Sequence, residues 1–415
     1  MPRPEPRLVV FTTLFPHAGA PGAGLFIRER MFRVAKVLPL TVVAPVPWFP
    51  LQSILRWWKS GFRPVAPVFE IQDGIEVRHP RFFSVPGAFK WLDGFFMALG
   101  CLPTMLRLKR SFAFNVIDAH FAYPDGYAAT LLGRWLRVPV TITLRGTEVP
   151  LARDPRRRPR LVKALERARR VFSVSDSLKR HVVSLGVPGD KIVVVGNGID
   201  TAVFHRVLRR TARDQLHMPV DAPVVISVGA LVERKGLHRV MECLPALRQR
   251  FPDLRYLVVG GASPEGDWST ALRQRVIELG LQDCVMFLGA LAPKELKVPL
   301  SAADVFVLAT GNEGWANVFL EAMACGLPVV TTSVGGNAEV VAHPGLGILV
   351  PFGEPDELAR AMAEALDRDW DRDAIVAHAE ANDWDQRVAV LADEFAGIVA
   401  REAGVDVPGR AVHCA

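Results

Sequence analysis

The sequence predicts an α/β protein made of two doubly wound, Rossmann-like domains facing across a cleft. Three observations carry this. The chain has 415 residues, more than one ordinary core holds. Its strand-like segments are continuous apolar, β-branched runs separated by helix-length stretches, as in parallel sheets covered on both faces. The pattern restarts part-way, so it describes two βαβ series.

The first series is LVVFTT (from Leu8), LTVVAP (Leu40–Pro45), IEVRHP (Ile75–Pro80), NVIDAH (Asn115–His120), VTITLRG (Val140–Gly146), VFSVS (Val171–Ser175) and KIVVVGNG (Lys191–Gly198). The run from Leu8 to Phe15 follows two arginines, but it is short and no small-residue cleavage site follows. It reads as a buried strand and not as a secretion signal. The second series is VVISVGA (Val224–Ala230), RYLVVGG (Arg255–Gly261), VMFLGA (Val285–Ala290), DVFVLAT (Asp304–Thr310), LPVVTT (Leu327–Thr332) and LGILVP (Leu346–Pro351). Helices fit at His238–Phe251, Trp268–Gly280 and Glu354–Arg368, the last with Pro355 and acids in its first turn. The joint falls in the arginine-rich stretch His205–Pro223, which divides residues 1–204 from 205–383. A last helix near 384–402 follows the completed second series and is expected to pack back on the first domain. Residues 403–415 read as a loose tail.

Composition narrows the function classes. Half the residues are hydrophobic and 22% are charged, which excludes a disordered chain. Cys101, Cys243, Cys284, Cys325 and Cys414 show no CxxC spacing and no histidine completes a zinc pattern. They read as small buried hydrophobes in a reducing compartment. No run is long enough to span a membrane, so the expectation is a cytoplasmic protein, at most peripheral to the inner face of the plasma membrane. Residues 1–200 hold 30 Lys/Arg against 14 Asp/Glu, and the remainder 20 against 29. A basic first half suits an anionic partner. With neither a zinc pattern nor an RNA-binding strand motif, nucleic acid is not that partner.

Ligands of doubly wound sheets bind beyond the carboxyl ends of strands, so the segments after strands matter most. After Val224–Val228 comes GALVERKGL. Gly229 allows a tight turn, and Arg234 and Lys235 stand together before Gly236. Two adjacent cations suit a diphosphate, one as a planar fork and one as a point charge. Cations opposing a helix N-terminus also point to an anion between them. After Asp304–Thr310 comes GNEGWANVFLEAMACGLP. Asn317 is placed as N-cap of a helix over Val318–Cys325, with Gly326 as its stop before Pro328. Glu321 lies one turn into this apolar helix, where a bare carboxylate needs a partner. Glu313 lies on the loop before it.

EGWANVFLEAMACGLPVVTTSVGGNAEVV, with SVGALVERKGL and VVGNGID upstream, resembles family 4 glycosyltransferases of the GT-B architecture. The resemblance runs from about Arg7 to Glu402. FPHAGAPGAGLFIRER and HFAYPDGYAA are similar to enzymes building bacterial surface polysaccharides. It implies a retaining transferase that moves a sugar from a nucleotide-diphospho sugar, UDP- or GDP-linked, to an acceptor hydroxyl. The acceptor would be a lipid-linked glycan intermediate, with no cofactor and no metal. By this resemblance Arg234 and Lys235 hold the diphosphate, Glu321 the ribose and Glu313 the donor sugar. Trp315, Ala316, Asn317 and Val318 lie over sugar and phosphate, with Gly229 beside them. His120 faces the donor sugar, and Gly22 and Gly24 form the loop where acceptor and phosphate approach the backbone. Arg145, in RGTE, stands where many relatives carry a histidine, and Ala316 where proline or glycine is common. The rival readings are an inactive partner subunit, which the intact Arg234, Lys235, Glu313 and Glu321 disfavour, and a phosphorylase or epimerase on the same scaffold.

On the acceptor side, Pro47–Pro64 mixes Trp48, Phe49, Trp57, Trp58 and Phe62 with Arg56, Lys59 and Arg63. Phe89–Arg110 adds an apolar stretch ending in cations, and Arg153–Arg170 has nine cations against two acids. Aromatics beside cations suit an anionic membrane interface; the plainer alternative is core aromatics and solvated helix faces.

Overall fold

The computed structural model describes residues 4–50, 52–58, 62–263 and 265–405, the side chains of Ile54, Arg56 and Trp58 excepted. Lys59 and most of the tail therefore lie outside the described residues. The strands are β1 (Leu8–Phe11), β2 (Leu40–Val43), β3 (Val46–Trp48), β4 (Phe69–Gln72), β5 (Ile75–Arg78), β6 (Arg81–Phe83), β7 (Val116–His120), β8 (Val140–Leu144), β9 (Arg170–Ser173) and β10 (Ile192–Val194). The second set is β11 (Val224–Val228), β12 (Arg255–Val259), β13 (Val285–Gly289), β14 (Val305–Leu308), β15 (Val329–Thr332) and β16 (Gly347–Val350).

The first sheet runs β10-β9-β8-β7-β1-β2-β5-β4. It is parallel except for β4, which pairs antiparallel with β5. Asp73 and Gly74, both with positive φ, form the two-residue turn between them. β1, β7 and β8 are buried at every position, which is why they read as unbroken apolar runs. β3 and β6 form a separate parallel pair beside this sheet's helices. The second sheet is wholly parallel, in the order β13-β12-β11-β14-β15-β16. Every strand foreseen in the two series is present. β3, β4 and β6, short and partly exposed, were not foreseen.

The chain divides into two compact units, residues 1–196 with 385–415, and residues 197–384. The first boundary lies eight residues before the one read from the sequence. Ile199 and Phe204 are buried in the core of the second unit, and Ile199 pairs with Asp383, so the second unit begins with this segment. The final helix, Trp384–Glu402, places Val388, Leu391, Phe395 and Val399 in the core of the first unit. Phe395 meets Phe172 edge-on at 5.5 Å, and Arg170 Nε donates to Glu394 at 2.7 Å.

Cys101, Cys243, Cys284 and Cys325 are buried free thiols; Cys414 lies outside the described residues. Among the described residues no helix is long and apolar enough to cross a membrane. Strand order reverses between β1 and β7 in the first unit and between β11 and β14 in the second. A crevice opens at such a reversal because the two following connections leave to opposite faces of the sheet.

Candidate functional site

In the second unit, the connections leaving β11 and β14 meet. Arg234 and Lys235 sit in a 3-10 turn, Glu233–Lys235, ahead of the helix Leu237–Arg250. Gly236 joins turn to helix with φ 72°, and a Cβ there would lie 1.9 Å from Ala309 O. Only glycine therefore lets the turn press on the end of β14. Gly229 closes β11 by donating to Val259 O at 2.9 Å, and the Lys235 side chain runs past it.

The cations converge on Glu313. Lys235 Nζ donates to Glu313 Oε1 at 2.6 Å, and Arg234 Nη1 lies 3.3 Å from the same oxygen. Thr310 Oγ1 donates to it at 3.2 Å, and Arg234 Nη1 also donates to Asn312 O at 2.7 Å. Glu313 is only 9% exposed, so this carboxylate depends on its donors. Its backbone is held as well: Gly336 N donates to Glu313 O, and a Cβ on Gly335 (φ 54°) would fall 1.8 Å from that oxygen. Arg234 has a second partner that the sequence did not single out. Its Nε and Nη2 grip both oxygens of Glu265, at 2.9 and 2.7 Å.

The helix after β14 is Asn317–Ala324, capped at Cys325 and followed by Gly326 with φ 80°. Its N-cap is Ala316 and not Asn317, a shift of one residue from the sequence reading. Asn317 Oδ1 accepts from Asn197 Nδ2 at 2.8 Å, so its side chain is used for that contact. The helix thus begins without a side-chain cap, and its leading N–H groups remain available to an anion. Trp315 Nε1 is buried with no hydrogen-bond partner among the described residues. Glu321 is half-buried, and its carboxyl likewise has no hydrogen bond there. Burial pushes it up to about 7, against the pull of Lys235. Among the described residues no cluster of His, Cys, Asp and Glu could hold a metal ion.

The first unit carries the other expected residues. His120 ends β7 with its ring 0% exposed. Arg145 Nη2 donates to His120 Nδ1 at 3.0 Å, so Nδ1 is unprotonated and Nε2 carries the hydrogen, facing Asp118 Oδ2 at 3.4 Å. Burial, with help from the Arg145 charge, lowers this imidazole to about 4 despite Asp118. In this structure His120 therefore touches Arg145 and Asp118, and Arg145 is the more exposed of the three. Burial pushes the Arg145 guanidinium well below its usual range, with the Arg30 charge adding to the shift.

Three acids missed in the sequence organise this region. Glu148, fully buried, accepts from the backbone N–H groups of Ala122, Arg145 and Gly146, at 3.1, 3.2 and 2.8 Å. Asp118 accepts from Thr141 Oγ1 at 2.6 Å. Asp125 accepts from the backbone and hydroxyl of Thr13, joining the segments after β7 and β1; burial raises its carboxyl to about 7. An acid inside an apolar strand, as in VIDAH, is the signal that could have found Asp118. Gly24, with φ 67°, would place a Cβ 2.3 Å from Leu14 O, whereas Gly22 is exposed with open space around it. Of the two, Gly24 is required by packing.

The family model described as "Glycosyl transferases group 1" matches residues 209–382, and that for "Glycosyltransferase Family 4" matches residues 62–203. Over 370 residues the chain is 28% identical to TuaC of Bacillus subtilis (strain 168), whose name assigns it to teichuronic acid biosynthesis; this covers 87% of this chain and 88% of TuaC. It is 30% identical over 366 residues to a D-inositol 3-phosphate glycosyltransferase of Streptosporangium roseum, covering 81% and 82%. Among solved structures, Anabaena HepE in complex with UDP and glucose matches with a TM-score of 0.70 at 21% identity, over 94% of this chain and 100% of that one.

Proposed function

The chain belongs to glycosyltransferase family 4 and has the GT-B fold; from that premise we propose that it transfers a sugar from a nucleotide-diphospho sugar to an acceptor hydroxyl, with retention. The acceptor in this reading is a lipid-linked glycan of cell-surface polysaccharide synthesis. TuaC, named for teichuronic acid biosynthesis, and HepE, solved with UDP and glucose, support the two ends of the reaction.

The observation that carries the reading is the second-unit site. Arg234, Lys235 and an uncapped helix start lie around a strand-order reversal, beside a half-buried Glu321 that has no hydrogen bond. Such a constellation suits an anion at the cations and helix start and hydroxyl donors at Glu321, and a nucleoside diphosphate supplies both. Glu321 would accept from the ribose hydroxyls. As the glycosidic bond breaks, negative charge builds on the leaving diphosphate. Lys235, Arg234 and the N–H groups at Asn317 and Val318 would stabilise it. Glu313 would keep both cations in place and, with the Trp315 indole N–H, meet the sugar. Glu313 is not read as a nucleophile, because its carboxylate is already committed to Lys235, Arg234 and Thr310.

The test is a thermal-shift screen with UDP, GDP, ADP and CMP on the wild type, Glu321→Ala and Lys235→Ala. Ligand at about 100 times Kd stabilises a native state by roughly 2.7 kcal/mol. One nucleotide should shift the wild type and leave both variants unmoved. A wild type indifferent to all four would reject the reading.

A further inference from the structure

The helix Asn317–Ala324 starts where its own residues would not start it. Asparagine is among the residues best suited to cap a helix, because its side-chain oxygen takes an N–H of the first turn. A start one residue later would make Asn317 that cap, with its oxygen on the N–H of Phe319 or Leu320. Instead Ala316, which has no side-chain acceptor, holds the N-cap position, and Asn317 stands first in the helix. Asn317 Oδ1 accepts from Asn197 Nδ2 at 2.8 Å. Phe319 N donates to Ala316 O at 3.1 Å, so the N–H groups of Asn317 and Val318 lead the helix.

Asn197 is presented by a fixed segment. It is 4% exposed and opens the second unit, which also holds Asn317. Two residues earlier, Val195 O accepts from Nη1 of the buried Arg30 at 3.1 Å. One residue later, Gly198 lies so close to Trp384 that a Cβ would come 2.7 Å from its backbone nitrogen. Ile199 then donates from its backbone to Asn382 O at 3.0 Å and bridges Asp383. The backbone is thus held on both sides of Asn197, which sets its amide toward Asn317.

We propose that Asn197 is a positioning residue for the candidate site: it holds the Asn317 amide off the helix start and leaves the leading N–H groups to the diphosphate. The inference rests on the transferase reading and adds to it a residue that acts through another. Without Asn197, Asn317 would turn onto its own helix. Its oxygen carries partial negative charge. It would stand in the place of the anion and occupy the donors that the anion needs. A plain structural tie between the two segments has a different signature. Both halves of such a tie matter alike, and deleting the second does not repair the loss of the first.

The experiment measures binding of UDP and GDP to the full chain by titration calorimetry, in the wild type, Asn197→Ala, Asn317→Ala and the double variant. Asn197→Ala should weaken binding of the nucleotide that the wild type takes by at least about fivefold, the scale of one N-cap. Asn317→Ala should bind within about twofold of the wild type, because main-chain N–H groups and not the amide hold the phosphate. The double variant should return to that level, since the competing oxygen is gone. Asn197→Ala without a loss, or a loss that persists in the double variant, overturns the proposal. So does a fivefold or greater loss in Asn317→Ala alone, about the scale of one cap. Asn317 is half-buried, so this last arm stands even where Asn197→Ala does not fold. A wild type that binds neither nucleotide sinks the donor reading and this inference with it. Nucleotide binding without the rescue sinks this inference alone.

Discussion

Lys235 Nζ lies 2.6 Å from Glu313 Oε1, joining the connection after β11 to the connection after β14 through a carboxylate that is 9% exposed. One contact thus holds the Lys235 cation in place and fixes the loop that opens the helix at Asn317. Removing Glu313 would leave Lys235 without its carboxylate in a poorly solvated place, whereas removing Lys235 leaves Glu313 its contacts to Arg234 and Thr310.

Lys235→Ala should lower kcat/KM by about 10²–10³-fold, the range for losing one donor to developing negative charge. Sugar-nucleotide turnover checks it. Arg234 remains beside Glu313, so the variant should still fold with reduced stability; unchanged turnover would remove Lys235 from the chemistry.

Glu265 grips Arg234 with both oxygens, where the reading above puts a diphosphate. The pair is half in solvent, so its worth is at most about 1 kcal/mol. Glu265→Gln should tighten nucleoside diphosphate binding by up to about fivefold at low salt, with the gain shrinking as salt rises. Calorimetric Kd values at two ionic strengths decide it. Weaker binding in the variant would mean that Glu265 helps the ligand.

Glu321 links function to stability. Its folded carboxyl sits at about 7, above the ordinary 4.5, so the folded state holds this proton more tightly than the unfolded one. Its contribution therefore weakens stability as pH rises from about 4.5 to 7, and the loss persists above that window. Glu321→Gln should melt a few degrees above the wild type at pH 8, with the gap closing near pH 4.5. A gap that does not change with pH would contradict this.

Gly335 is a packing requirement of the same site. A Cβ there would meet Glu313 O at 1.8 Å from a backbone with φ 54°. Gly335→Ala should cost about 3 kcal/mol in urea unfolding, through strain and displacement of the Glu313 loop. A loss under about 1 kcal/mol would show that the loop yields freely.

The buried parallel strands were legible because both faces of each are covered, so every position must be apolar. The helix after β14 was legible to within one residue, because Gly326 ends it in the left-handed conformation. Its start was misplaced because Asn197, 120 positions away, takes the Asn317 side chain. β3, β4 and β6 went unseen because short, exposed strands carry little apolar signal. Glu265, Asp118, Asp125 and Glu148 went unassigned because a carboxylate's role depends on which donors reach it.

By itself, then, the amino-acid sequence determined the two βαβ series, the family, and the residue types at the candidate site, since these follow from local periodicity and contiguous motifs. Only the tertiary structure decided that Glu313 belongs to Lys235, that Glu265 holds Arg234, that His120 is shut in by Arg145 and Asp118, and that Asp125 ties the segment after β7 to Thr13. Each is a hydrogen bond or ion pair between segments far apart in the chain, and no local pattern records which distant partner folding delivers.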